Sequence, residues 1–313
     1  MNDEHLTQGR IFRFWSPLAA TWLMMAVEGP FLAAIIARLG EPTYNLAAYG
    51  VAFSLALVME APVIMLMSAA TALARNRASY CRLRTFTHAL NAAVTLAMVV
   101  TLLPPVYRLL AEGLIGLPPE VASRTHIALL LLLPWPATIG IRRLYQGVLI
   151  RHGLTRRVAY GTVARLVAMF GTAFALARFT DFEGAWVGTA ALTMGVSCEA
   201  IASRFMASGA IRTLLDTPGD ATGATSSFGA LSRFYYPLAL TTLLSLGIHP
   251  VVTFFVGNSR HSLESLAVLP VIGSLVFIFR SLGLAYQEVV IALIGDEHQG
   301  YRGLRTFGLT LSL

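Results

Sequence analysis

Seven ionisable residues of this 313-residue chain lie inside stretches that are otherwise apolar: Glu28, Glu60, Arg165, Glu199, Arg280, Glu288 and His249. A carboxylate or guanidinium at the centre of a bilayer costs about 2.5–3.5 kcal/mol on insertion scales, so each needs a partner or a purpose. Glu28 stands two residues before Pro30. Proline has no N–H and leaves a carbonyl of the preceding turn free, so Glu28 and Pro30 together form a candidate cation or proton coupling site. The alternative is a buried glutamate satisfied by a neighbouring hydroxyl or arginine. Glu60 and Arg280 carry opposite charge 220 positions apart, which suggests a pair that forms across a cleft when one side closes. The alternative there is a local partner for each. His249, beside Pro250, places a titratable imidazole where it would meet substrate or sense protonation, or would simply pack. Arg165 and Glu199 are further cleft candidates, although on helices five and six of the same lobe they read first as a static bridge and only second as a substrate contact. Glu288 is near a helix end and is expected to reach water.

Other chemistries lack their residues. The chain has no HExxH, no paired aspartate cluster and no Walker A sequence, so neither a membrane-embedded enzyme nor ATP hydrolysis is expected. His5, His88, His126, His152, His249, His261 and His298 are scattered, and Cys81 and Cys198 are isolated, so no metal site or disulfide framework is foreseen. The expected cofactor list is empty apart from a coupling H⁺ or Na⁺.

The elements that must position these groups are membrane helices. The chain is 56% hydrophobic and 12% charged, with a mean hydropathy of +0.67. Soluble domains carry about 25% charged residues. Stretches long enough to span a bilayer fall at roughly 14–37, 46–73, 86–107, 125–149, 158–178, 185–206, 234–257 and 264–294, with a ninth beginning at Phe307. The N-terminus is short and polar with no cleavage site, so it does not read as a signal peptide. All 23 basic residues are arginine. With the N-terminus inside, sixteen of them, including Arg142 and Arg143 and the run from Arg75 to Arg84, fall on the cytoplasmic side and five on the other. The net charge of +7 is thus a topology signal, and nucleic acid is not an expected partner. The cluster from Arg75 to Arg84 fits the same signal and contact with lipid headgroups. Met24, Met25, Met59, Met65 and Met67 suit packing or an adaptable pocket, and Gly161, Gly171, Gly188 and Gly195 suit close helix packing.

The chain also repeats itself. Residues 13–30 (RFWSPLAATWLMMAVEGP) recur at 233–250 (RFYYPLALTTLLSLGIHP), with eight of eighteen positions identical, including Pro17/Pro237 and Pro30/Pro250. The same offset pairs Leu46/Leu266, Ser54/Ser274, Ala72/Ala292 and Arg82/Arg302. Six spans precede the second copy, so it enters the membrane in the same direction, as parallel repeats of alternating-access carriers do. The expected organisation is an N-terminal six-helix lobe over 1–212, a cytoplasmic linker over 213–232 and a partial C-terminal lobe over 233–313. A complete second copy needs three or four more helices, so a truncated form of a twelve-helix protein is expected.

Two six-helix halves opening on a proline-kinked helix resemble the multidrug/oligosaccharidyl-lipid/polysaccharide exporter superfamily, which includes the multidrug and toxic compound extrusion (MATE) transporters. Leu46–Leu55 (LAAYGVAFSL), Tyr236–Leu240 (YPLAL) and His249–Val256 (HPVVTFFV) look closest to bacterial relatives of the progressive ankylosis (ANK) branch. The run Arg142-Arg143-Leu144-Tyr145-Gln146-Gly147 is similar to a pattern common across the superfamily. The resemblance implies an all-α, two-lobed bundle in a bacterial-type inner membrane. It would export small organic solutes by alternating access, coupled to H⁺ or Na⁺ and working as a monomer with the lipid bilayer and solute as partners. Many MATE pumps have an aspartate where this chain has Glu28, which leaves the coupling ion open. An ANK-like exporter of anionic metabolites (pyrophosphate, nucleotide, citrate) and a lipid-linked precursor flippase are the alternatives.

Overall fold

In the lipid core every backbone N–H and C=O must find its partner within the chain, and a helix satisfies them locally. The computed structural model describes residues 7–294 and 300–312, and these are helical with short connections and contain no strand. Among the described residues eight helices are long and apolar enough to cross a bilayer: α1 Gln8–Ile36, α2 Pro42–Leu73, α3 Arg77–Leu102, α4 Pro119–Arg151, α5 Thr155–Phe179, α6 Gly184–Met206, α7 Phe228–Gly257 and α8 Ser262–Leu293. They match the eight expected stretches and extend most of them by a few residues, because polar caps continue the backbone beyond the apolar run. A further helix, α9, spans Tyr301–Ser312. At 1.5 Å per residue its twelve described residues extend about 18 Å.

The caps and kinks recur at the offset seen in the sequence. Thr7 and Ser227 stand 220 positions apart, and each side chain accepts from the backbone N–H three residues on, starting α1 and α7. The hydroxyl of Thr21 bonds the carbonyl of Pro17 at 2.9 Å, and that of Thr241 bonds the carbonyl of Pro237 at 2.9 Å. Ser54 and Ser274 each donate to the carbonyl three residues back, at 2.9 and 2.7 Å.

Packing follows a crossed pattern. α1 lies along α8, α7 lies along α2, and α2 also meets α8, whereas α1 and α2 barely touch one another. α7 docks where Pro62 bends α2: Tyr235 donates to the carbonyl of Pro62 at 2.6 Å and Thr242 to that of Ala61 at 2.8 Å. Two pairs of positions 220 apart meet on the α2–α8 seam. A Cβ on Gly50 would sit 3.0 Å from the Pro270 ring, and Ser68 donates to Glu288 at 3.1 Å. Helices α4, α5 and α6 pack together on the far side of α1 and α2. Close approach explains three of the four expected packing glycines. Gly188 faces Ile36 and Tyr49, Gly195 faces Met169, and Gly161 faces Met206 and Ser203, while Gly171 faces open space.

The connection after α6 forms a short helix, Ser208–Asp216, and then crosses the start of α3. Asn76 and Ser79 cap α3 reciprocally. The Asn76 amide also donates to the carbonyl of Asp220 at 3.1 Å, and Arg82 donates to the carbonyls of Thr225 and Ser226. Arg82 therefore ties the linker down, a task that a topology signal alone does not include. α9 rests against α1 through Gln8, which donates to the carbonyl of Gly303 at 2.9 Å, and through the edge of Trp15 on Phe307. His5 and His298 lie outside the described residues.

Candidate functional site

Between α1, α2 and α4 on one side and α7 and α8 on the other lies a cavity of about 680 Å³. Its wall is mostly apolar, with Trp22, Phe53, Trp135 and Phe277, but it also takes in Glu28, Glu60, Glu288, Arg142, Arg143, Arg165, Arg280 and His249. An apolar pocket with a few convergent polar groups is the usual form of a small-molecule site. Pro30 and Pro250 lack the N–H that would bond the carbonyls of Ala26 and Leu246, and both of those residues line the cavity.

Behind the wall stands Glu199, fully buried and met by four donors. Arg142 reaches it at 2.5 Å and Arg165 at 3.5 Å, and Gln146 and Thr162 reach it at 3.0 Å each. Arg165 also pairs with Glu28. Three elements converge here for a simple reason. Arg142 and Gln146 are four apart and share one face of α4, while Thr162 and Arg165 are three apart and share one face of α5. Arg165 and Glu199 are thus brought together, as a bridge was expected to do, and Glu28 has an arginine partner.

The other face of α4 builds a different cluster. Arg143 follows Arg142 by one residue and is therefore turned about 100° around the helix. It is 5% exposed, lies 5.2 Å over the ring of Trp22 and reaches the sulfur of Met67 at 3.5 Å. Gly147 permits this, since its Cβ would strike the carbonyl of Met67 at 2.4 Å and push α4 away from α2. Among the described residues Arg143 has no carboxylate within bridging distance. Glu60 and Glu288 are nevertheless the cavity-lining carboxylates whose charge acts on it. Glu60 makes no hydrogen bond among the described residues, and one oxygen of Glu288 is likewise unpartnered while the other takes the Ser68 hydroxyl. Glu288 therefore does not reach water. It is 5% exposed because the α2–α8 contact seals the end of the helix where it stands.

Glu60 and Arg280 both line the cavity but form no ion pair in this structure. Helical phase explains why. Residues 50 and 68 of α2 are five turns apart and share the face that meets α8, whereas residue 60 is turned about 80° from it. Any two-fold relation turns position 280 the same way into the opposite wall. Glu60 accordingly faces Arg143, while Arg280 is exposed on the side of His249.

Arg142 and Arg143 were not foreseen as site residues, because a run of arginine near the end of a span reads as a cytoplasmic flank. They lie mid-helix and buried, which leaves fourteen arginines against five for the topology argument. The spacing of Arg142 and Gln146 was the available signal, since two polar residues four apart inside a stretch counted as apolar must face something. No family model, curated protein or solved structure matches this chain.

Proposed function

We propose that this chain is a secondary-active carrier, moving small organic solutes through the cavity between two repeated helix sets by alternating access, driven by H⁺ or Na⁺. The observation that carries the reading is the cavity itself. It lies between the copies, it is large enough for a small organic molecule, and it draws together buried charges of α1, α2, α4, α5 and α8. Carriers place their sites at such repeat interfaces. The crossed packing of α1 on α8 and α7 on α2 is what a pseudo-two-fold between copies would give, which supports the MATE-like, two-lobed form of the fold. The arginine bias supports a cytoplasmic N-terminus in a bacterial-type inner membrane. The outward faces of α7 and α8, with Leu244, Phe255 and Phe279 exposed, suit lipid.

The test is uptake by proteoliposomes under an imposed pH or Na⁺ gradient, with a panel of organic cations, organic anions and a fluorescent lipid. Saturable, gradient-driven uptake of a solute supports the carrier. Flux that rises linearly with concentration contradicts it and points to a channel, and movement of the lipid probe alone points to a flippase.

A further inference from the structure

The buried charges do not balance, and the imbalance has an address. Among the described residues four carboxylates are buried (Glu28, Glu60, Glu199, Glu288) against three guanidiniums (Arg142, Arg143, Arg165). Arg142 and Arg165 are committed to Glu199 and Glu28 by direct bridges. That leaves Arg143 to serve both Glu60 and Glu288, and it bridges neither. Each of the two has a buried oxygen with no hydrogen-bond partner, as Glu28 has, but unlike Glu28 neither has an arginine bridge, and both line the cavity. A buried carboxylate without a counter-charge is strongly disfavoured and draws a positive ion to itself.

We propose that Glu60 and Glu288, the two buried carboxylates of the cavity that no arginine bridges, hold one monovalent positive charge, a proton or Na⁺, on one or other of their carboxylates. The assignment rests on the carrier reading and deepens it by naming where the coupling charge sits. Glu28 is set apart from this site, because Arg165 already meets its charge. The position suits coupling. Glu60 belongs to α2 in the first copy and Glu288 to α8 in the second, and a charge held on either one changes the pull on Arg143. The groups facing Glu60 are Arg143 and Arg142 from α4 and Arg165 from α5. Those facing Glu288 are Arg143 from α4 and Ser68 from α2. Arg280, on the same helix as Glu288, stands with His249.

Trp22, stacked on Arg143, supplies a reporter. The full chain, purified in detergent, would be titrated in two arms while its tryptophan fluorescence is followed. The first arm raises Na⁺ at fixed alkaline pH, with N-methylglucamine keeping the ionic strength constant. The second varies pH without Na⁺. The expected result is a saturable change in one arm, which identifies the ion. It should be absent in Trp22→Phe, lost in Glu288→Gln and Glu60→Gln, and retained in Glu41→Gln, whose carboxylate pairs with Arg124 away from the cavity. Should either glutamine variant fail to fold, Ser68→Ala keeps both carboxylates and is expected to shift the midpoint roughly ten-fold by removing a supporting hydrogen bond. The assignment is overturned if wild type shows no saturable response in either arm, if both glutamine variants titrate like wild type, or if Glu28→Gln alone abolishes the response. Binding is read here without transport. A wild-type response with no flux of any solute sinks the carrier and leaves the site, whereas gradient-driven flux untouched by Glu60→Gln and Glu288→Gln sinks the site and leaves the carrier.

Discussion

Arg142 and Arg143 are adjacent in sequence and similarly buried, yet the two clusters they serve are built to opposite specifications. Around Arg142, Glu199 receives four donors from α4 and α5, so its charge is matched in place. Around Arg143 no carboxylate closes to a bridge, the guanidinium leans on an indole and a thioether, and two glutamates hold unpartnered oxygens. A single step of helical rotation separates them. The difference teaches that burial of charge does not by itself mark a working site. A carboxylate met by four donors braces helices in one arrangement, while one with an unpartnered oxygen and no arginine bridge has spare capacity that a ligand, a proton or a movement can take up.

The sharpest way to break this contrast is to remove Glu199, the carboxylate that the four donors meet. Glu199→Ala leaves Arg142 buried without its partner and is expected to destabilise the protein by about 3–5 kcal/mol, read as a large drop in detergent melting temperature. Glu288→Gln should cost about 1 kcal/mol, the net worth of an ordinary hydrogen bond. Equal losses in the two variants would erase the distinction. Gly147→Ala comes next. The added methyl group meets the carbonyl of Met67 and the side chain of Ala70, so a destabilisation of about 1–3 kcal/mol from overpacking is expected. It should be accompanied by a change in Trp22 fluorescence as Arg143 is carried away from the ring. The smallest effect is reserved for the pair suggested by sequence symmetry. Because the helical phase sends Glu60 and Arg280 to different walls, the double substitution Glu60→Arg with Arg280→Glu is expected to restore none of the uptake lost in the single variants. Recovery would show that the two side chains meet in another conformation.

The sequence told most about what apolar length dictates. The eight spans were legible because long apolar runs leave the backbone no other solution in lipid, and the offset of 220 announced itself in Pro17/Pro237 and Pro30/Pro250. Which way a polar residue faces was not legible. Arg142 and Arg143 read as a flank, since composition records that they are arginines near a boundary but not that Gly147 draws α4 against α2. Glu288 read as wetted because its distance from the end of α8 is visible, whereas Ser68 on a helix 220 residues earlier is not. Glu60 and Arg280 read as partners from their offset alone, because equivalence in sequence fixes the position on each helix and leaves the angle between the two side chains open. The tie between Arg82 and the linker carbonyls was hidden for the same reason, since backbone acceptors in a loop carry no side-chain signature.

The most direct test of the account is gradient-driven uptake in proteoliposomes, comparing wild type with Glu60→Gln and Glu288→Gln reconstituted at matched levels. The account predicts saturable uptake that follows the imposed H⁺ or Na⁺ gradient in wild type. In both variants it predicts loss of the gradient dependence, although the proteins melt close to the wild-type temperature. Uptake that still follows the gradient in both variants would contradict it.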